Sequence, residues 1–245
     1  MSKSIKVLTL LFVVIGYVNS AHSELAFEKI NSYSENNSMI SNDELTEQEV
    51  INLKLDDIQK RVEFITSLSN EELENNLDEL AECLNVIQEF SLYLPKNSTV
   101  RSASVYFASD NLRGLAFNVV HYLSDKDLID YELSATDIYA NIILNFFNTN
   151  YALVGDGMIK SAIIHEKTND NETSKKIYSA ILKDFIVVIE RLESSEEKID
   201  QNDELFFALS SLETACERLI VLNHLNGENS NATSVLNRIE ALRKK

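Results

Sequence analysis

The residues best able to do acid–base chemistry or to bind a metal in this chain are four histidines, His22, His121, His165 and His224. His165-Glu166 begins like the zinc-protease motif, in which two histidines four residues apart lie on one helix face. Asn169 stands where the second histidine is needed, so no zinc site is predicted there. His121 and His224 fall near predicted helix ends, where we expect ordinary structural side chains.

A short acidic run has the alternating carboxylates of a calcium-binding loop: Asp125, Asp127 and Asp130. It lacks the central glycine, and Thr136 occupies the twelfth position, where a glutamate normally closes the loop. We interpret the run as an acidic connector that caps a helix. Residues 155–157 (Gly-Asp-Gly) lack the further glycine and the preceding strand of a phosphate-binding loop. The sequence therefore predicts no catalytic residue, no metal and no cofactor.

One stretch carries charge of a single sign. Residues 62–95 contain eight acids and no lysine or arginine. Seven of the acids fall on the predicted second helix, away from its apolar stripe, and we call the first six of these the acidic face: Glu71, Glu72, Glu74, Asp78, Glu79 and Glu82. The functional interpretation is a docking surface for a basic partner, and the alternative is an ordinary solvated helix face.

Residues 1–23 have the parts of a cleavable signal peptide, and the alternative is an uncleaved N-terminal anchor or a buried core strand. Lys3 and Lys6 precede a 12-residue apolar run at residues 7–18, and small residues follow. A membrane span needs about 20 apolar residues, so this run is too short to cross a bilayer. The protein is predicted to be exported to the periplasm or the extracellular space, with no membrane insertion after cleavage. Residues 24–45 are expected to form a flexible N-terminal arm.

The net charge of the chain limits its partners. The whole chain carries −17, and loss of the two lysines of the signal peptide would change this to −19. Phosphate backbones and anionic lipid surfaces repel such a protein, which argues against nucleic acid as a partner. A protein with a basic surface is the expected partner, although acidity that serves only solubility is the alternative.

Cys83 and Cys216 are the two cysteines. An even number of cysteines in an exported chain favours a disulfide, and two buried free thiols are the alternative. Cys216 lies on the apolar stripe of its helix, and Cys83 flanks the stripe of an earlier one, so both side chains should face the interior. We therefore expect a Cys83–Cys216 disulfide that closes a long loop.

The elements that carry these residues are predicted to be helices. One proline, five glycines and apolar residues at spacings of three and four indicate an all-α fold. We expect seven or eight helices in an antiparallel helical bundle or an irregular helical-hairpin array, as a single domain over residues 46–245. A glycine break is expected at 155–157. The predicted helices cover residues 46–68, 70–94, 99–123, 134–147, 151–167, 171–193, 203–225 and 232–243. Capping boxes, in which a hydroxyl residue is followed three residues later by a glutamate, are predicted to start the first two helices at residues 46–49 and 69–72.

These features favour an exported acidic helical binding protein over an enzyme. Its most concrete form is a periplasmic immunity or inhibitor protein that neutralises a partner, such as a secreted toxin, by direct binding. One alternative is a helical-repeat scaffold of the cell envelope. Another is an enzyme with a nonlocal site, which would need a cleft where a histidine meets carboxylates.

Overall fold

The computed structural model describes residues 46–94, 103–194, 204–223 and 230–244. Within these ranges every regular element is an α-helix, which confirms the predicted fold class. In chain order the helices are α1 Glu47–Ser67, α2 Asn70–Glu74, α3 Leu77–Tyr93, α4 Ala103–Leu123, α5 Ile129–Phe146, α6 Tyr151–Lys167, α7 Asn171–Asp184, α8 Ile186–Ser194, α9 Glu204–Leu222 and α10 Ser230–Arg243. The predicted signal peptide, N-terminal arm and His224 lie outside the described residues.

The chain divides into two compact units, Met1–Lys54 and Leu55–Lys245. In the first unit, the described residues begin with the predicted capping box. The Thr46 amide donates to Glu49 Oε2 at 2.7 Å, and the Glu49 amide donates to Thr46 Oγ1 at 3.3 Å. This reciprocal pair satisfies two amide groups that have no partner inside the helix. The packing described below is that of the second unit.

The second unit is an array in which neighbours in space are largely neighbours in sequence. Helix α4 packs against α5, α5 against α6, and α6 against α7. Helix α9 lies against both α6 and α7, α10 lies against α9, and α3 contacts α4 and α5. Apolar side chains at helical spacing supply the core. Fully buried examples from five helices are Leu80, Leu112, Ile142, Ile181 and Leu212.

Two predicted helices are each divided in the structure. The predicted 70–94 helix stops after α2, because the side-chain amides of Asn75 and Asn76 donate to the Glu71 and Glu72 carbonyls at 2.8 and 2.7 Å. Such bonds compete with the regular backbone pattern. The predicted 171–193 helix divides at Phe185, whose buried ring packs edge-to-face on Tyr151.

The connector predicted at residues 124–134 is shorter than expected. Helix α5 starts at Ile129, five residues before the predicted start of the fourth helix. Asp130 and Glu132 occupy its first turn, where the helix dipole favours acidic side chains. The acidic run therefore belongs partly to the helix that it was expected to precede.

The predicted break at residues 155–157 is wrong. Gly155 and Gly157 lie inside α6 and are buried. A Cβ atom on Gly155 would lie 2.5 Å from Ser211 Oγ of α9, and one on Gly157 would lie 3.0 Å from Ile143 Cδ1 of α5. The two glycines therefore permit the close approach of neighbouring helices and do not form a turn.

A hydrogen-bonded ion pair joins three helices of the second unit. Glu166 of α6 accepts a hydrogen bond from the Tyr178 hydroxyl of α7 at 2.6 Å and a bidentate contact from the Arg218 guanidinium of α9. Burial raises the pKa of Glu166, but the bonds from Arg218 and Tyr178 outweigh it and leave the pKa below its usual value. Glu166 is therefore held ionised between these two partners.

The predicted Cys83–Cys216 disulfide is also wrong. Both cysteines are free thiols, and both are buried. Cys83 belongs to α3, which packs against α4 and α5, whereas Cys216 belongs to α9, which packs against α6, α7 and α10. Burial raises the pKa of Cys83 to about 11 and that of Cys216 to about 12. The two cysteines thus serve as small apolar core residues.

We expect neither thiol to react with Ellman's reagent while the protein is folded, because the reagent needs an exposed thiolate and both groups are buried and protonated at about pH 8. After unfolding without reductant, two thiols per chain should react. The Cys83→Ala variant is the control and should release one thiol. An unfolded chain that releases none before reduction would contradict the free-thiol structure.

Candidate functional site

The acidic face lies on the surface formed by α2 and α3. All six of its carboxylates are exposed. Within the described part of the chain none of them forms a salt bridge. Glu71, Glu74, Asp78, Glu79 and Glu82 therefore have no ion-pair partner among the described residues.

Glu72 differs from the other five acids because it caps α2. The Ser69 hydroxyl and amide donate to Glu72 Oε2 at 2.7 and 2.9 Å, and the Glu72 amide donates back to Ser69 Oγ at 3.4 Å. These bonds from Ser69 hold the pKa of Glu72 below its usual value. The predicted capping box is confirmed, so Glu72 has a structural role on this face.

Two cationic side chains lie near the acidic face, and each already has an interaction partner. Arg61 of α1 pairs with Asp57 at 3.0 Å, and this bond, with smaller contributions from Glu82 and Glu79, raises its pKa. Lys126 donates to Asn70 Oδ1 at 2.6 Å and lies over the Tyr122 ring. Both cations thus have their closest partner outside α3, and Arg61 offsets the charge of Glu79 and Glu82 only at longer range.

A second feature, not predicted from the sequence, is a cleft of about 270 Å³ between α4, α5 and α6. Side chains of all three helices contribute to its lining. The lining residues are Phe117, Val120, His121, Ser124, Glu132, Thr136, Lys160, Ile163, Ile164 and Lys167. We refer to this feature as the α4–α6 cleft.

Ion pairs at the α4–α6 cleft fix its charged side chains. Glu132 is buried, with 7% of its surface exposed, and accepts a hydrogen bond from Lys167 Nζ at 2.6 Å. Lys160 donates to Asp156 Oδ1 at 2.6 Å and lies over the Phe117 ring at 5.5 Å. Burying a carboxylate is costly unless a cation pairs with it.

The aromatic side chains that line the cleft are also held in place by their neighbours. Phe117 stacks on His121, with ring centroids 6.2 Å apart, and packs against Tyr139 at 5.7 Å. The Tyr139 hydroxyl donates to Asp156 Oδ2 at 2.7 Å. Burial and the neighbouring Asp156 raise the pKa of Tyr139, so the hydroxyl stays a donor. Asp156 is thereby held between Tyr139 and Lys160.

Comparison with known proteins identifies neither a family nor a function for this chain. The chain matches no protein-family model, no curated protein and no solved structure. None of the helices in the described ranges combines the length and the hydropathy of a membrane-spanning segment. Its function is therefore inferred from the geometry of its own residues.

His165, the histidine that begins the incomplete zinc motif, makes a different contact. Its Nδ1 lies 3.3 Å from Asp170 Oδ2. Ser161, one turn earlier, donates to Asp137 Oδ1 at 3.3 Å but is itself buried, so it is not an accessible nucleophile. No group of histidine, cysteine and acidic side chains in the described ranges could hold a metal ion.

The residues of the α4–α6 cleft have a sequence signal that is visible in retrospect. Phe117 and His121 are four residues apart, and so are Glu132 and Thr136, which places each pair on one helix face. Lys160 and Lys167 are seven residues apart, with the apolar Ile163 and Ile164 between them. A lysine pair on an apolar helix face is the pattern that could have indicated the cleft.

Proposed function

We propose that this protein is an exported, acidic, helical binding protein that recognises a partner protein with a basic surface. The observation that carries the proposal is the acidic face, where exposed carboxylates on α2 and α3 lack salt-bridge partners among the described residues. Uncompensated charge of one sign steers association with a surface of opposite charge.

The packing beneath the face supports recognition by a preformed surface. Leu73, Leu80 and Leu84 anchor α2 and α3 through buried side chains. Asn75 and Asn76 fix the turn between the two helices through their bonds to backbone carbonyls. A surface that is already ordered loses little conformational entropy when it binds.

The most concrete form of the proposal is a periplasmic immunity or inhibitor protein. Such a protein would block a partner, for example a secreted toxin, by covering its basic surface. The pattern of a signal peptide at residues 1–23 and the net charge of −17 support this form. Binding alone would suffice for this activity, and no catalytic group is needed for it.

Neutralising part of the acidic face should weaken partner binding by about tenfold and reduce its salt dependence. The test variant carries Glu74→Gln, Asp78→Asn and Glu82→Gln, which leaves the cap at Glu72 intact. Asp78 and Glu82 are four residues apart in α3, so their mutual repulsion is relieved, whereas Asp78→Asn loses a favourable interaction with the helix dipole in the first turn of α3. The stability of the fold should therefore change little. The measurement is retention of basic proteins from the envelope fraction of the source organism at low and high salt.

A matched control carries Asp127→Asn, Glu190→Gln and Glu217→Gln, three exposed acids outside the acidic face. It has the same net charge as the test variant, so it separates a local effect from a general loss of charge. A basic protein retained by the wild type and the control, and released from the test variant, supports the proposal. Equal retention by all three proteins, or retention of no basic protein, overturns it.

A further inference from the structure

We propose that Asn171 and Asn231 are glycosylation sites, at which an oligosaccharide is attached to the side-chain amide nitrogen. Asn-x-Ser/Thr acceptors are used in secreted chains. This inference therefore rests on the export that is part of the proposed function, and it does not depend on the partner. Three observations support it: the sequence around each asparagine, the exposure of the two side chains, and their position at the start of a helix.

The chain contains four sequences of the acceptor pattern for N-linked glycans. Their asparagines are Asn36, Asn97, Asn171 and Asn231. Asn36 and Asn97 lie outside the described residues. Asn171 belongs to α7 and Asn231 to α10, and each has a threonine two residues further on. The pattern arises easily in a chain rich in asparagine, so the surroundings of these two side chains in the fold decide whether each can carry a glycan.

The side chains of Asn171 and Asn231 are both exposed. Helix α7 is capped by Asp170, whose carboxylate accepts a hydrogen bond from the Thr173 amide at 3.2 Å, so the cap does not use the Asn171 side chain. Within the described ranges, neither asparagine side chain forms a hydrogen bond. A covalent bond at either amide nitrogen would therefore replace no hydrogen bond of the described structure.

The position of each asparagine at the start of its helix leaves room for a bulky group. Asn171 is the first residue of α7, and Asn231 is the second residue of α10. Helical side chains point back toward the N-terminus and cover the turn before their own Cα atom. No complete turn of the helix precedes either asparagine, so an oligosaccharide would extend beyond the helix end and not along the helix surface.

Glycans at these two positions would leave the acidic face uncovered. Helix α7 packs mainly against α6 and α9, and α10 packs mainly against α9, whereas α3 contacts α4 and α5. The two acceptor asparagines therefore lie on helices that are not the main neighbours of α2 and α3. Modification of both asparagines is compatible with binding of a basic partner at the acidic face.

The co-reactant is an oligosaccharide linked through pyrophosphate to a membrane lipid, and a transferase outside this chain brings the two together. The asparagine Nδ2 atom attacks the anomeric carbon of the first sugar. A carbon–nitrogen bond forms, the bond from that carbon to the pyrophosphate oxygen breaks, and the lipid pyrophosphate leaves. Nδ2 loses one proton, and neither reactant is oxidised or reduced. The chain itself contributes only the acceptor.

The proposal can be tested on the full-length protein recovered from the exported fraction of the source organism. Peptide N-glycosidase in oxygen-18 water releases each glycan and converts the modified asparagine to an aspartate that carries one oxygen-18 atom. We expect mass spectrometry to find this isotope at Asn171 and Asn231. It should be absent from Asn237, an exposed asparagine of α10 that has Ile239 two residues further on. A digest without the glycosidase controls for spontaneous deamidation.

The outcomes separate this proposal from the proposed function. Exported protein that lacks the isotope at either asparagine overturns the assignment of that asparagine and leaves the export intact. Protein that stays in the cytosol without a glycan overturns both this proposal and the export on which the proposed function depends.

Two variants assign the glycans to their sites. Asn171→Gln and Asn231→Gln should each lose one glycan, which is seen as one step of increased mobility on a denaturing gel. Asn237→Gln is the matched control and should keep the mobility of the wild type. Glutamine keeps a polar amide at an exposed position, so all three variants should fold. A test variant with wild-type mobility would show that its asparagine carries no glycan and overturn that assignment.

Discussion

Replacing Gly155 with alanine is expected to lower the free energy of unfolding by about 2 kcal/mol. The new Cβ atom would lie 2.5 Å from Ser211 Oγ, 2.7 Å from Ser211 Cβ and 3.0 Å from Phe185 Cε2. The cost of separating α6 from α9 exceeds the gain of up to about 1 kcal/mol that alanine brings to a helix interior. Urea unfolding followed by circular dichroism measures the change.

Gly114 provides the matched control for this prediction. It also lies inside a helix, α4, but a Cβ atom added there would meet nothing within 4 Å. Gly114→Ala should therefore raise the free energy of unfolding by about 0.5–1 kcal/mol. A Gly155→Ala variant at least as stable as the wild type would refute the close approach of α6 and α9 at Gly155.

Replacing Arg218 with methionine is expected to destabilise the protein by about 1–3 kcal/mol at neutral pH. The substitution leaves Glu166, whose side chain is 11% exposed, with the Tyr178 hydroxyl as its remaining partner from this network. The side chain of Arg218 is itself 44% exposed, so solvent screening keeps the loss below that of a fully buried pair.

The pH dependence of this loss follows from the pKa of Glu166. Its pKa in the folded protein is below the ordinary value of 4.5. The ion pair therefore stabilises the fold above about pH 4.5, and this contribution is lost as the pH falls through the lower, folded-state pKa. Without Arg218, burial raises the pKa of Glu166, so the variant should recover part of its stability in acid as Glu166 gains a proton.

The Glu166→Gln, Arg218→Met double variant is the control for this prediction. It has no carboxylate at position 166, so the difference between it and the single variant should be largest near pH 7 and small near pH 4. Urea unfolding at both pH values measures it. A difference that does not vary with pH would show that Arg218 acts through packing alone.

The helices could be predicted where local signals and packing agree. The predicted bounds of α1 and the predicted start of α2 lie within a residue or two of the observed ones. They were marked by the capping boxes at Thr46 and Ser69 and by the apolar stripes. The break at Asn75 and Asn76 was missed, because leucines at helical spacing continue across it and the side-chain bonds that cause it are local. At Gly155 a break was predicted that the structure does not have. The low helix propensity of glycine suggested the break, whereas the residue must be small because α9 packs closely against α6 at this position.

The two candidate sites also differ in how far they could be predicted from local sequence signals. The acidic face is a property of consecutive turns, so charge counting along the sequence was enough to find it. The α4–α6 cleft joins Lys160 and Lys167 to Glu132 and His121 from two other helices. Such an assembly depends on which helices become neighbours, and periodicity within one helix does not determine that. The wrong disulfide has the same origin, because inward-facing cysteines need not face each other.

The two buried thiols require the chain to fold before its cysteines can be oxidised. In the folded protein, Cys83 and Cys216 are unbonded and shielded within helices that have different neighbours. In an unfolded chain the same two thiols can meet, and in any oxidising compartment a bond between them would tie α3 to α9 and prevent the native arrangement. Helices assemble in microseconds, whereas disulfides form over seconds or longer. Folding must therefore be faster than oxidation of the thiols. A helical array whose contacts join mainly sequence neighbours folds rapidly, so it meets this requirement.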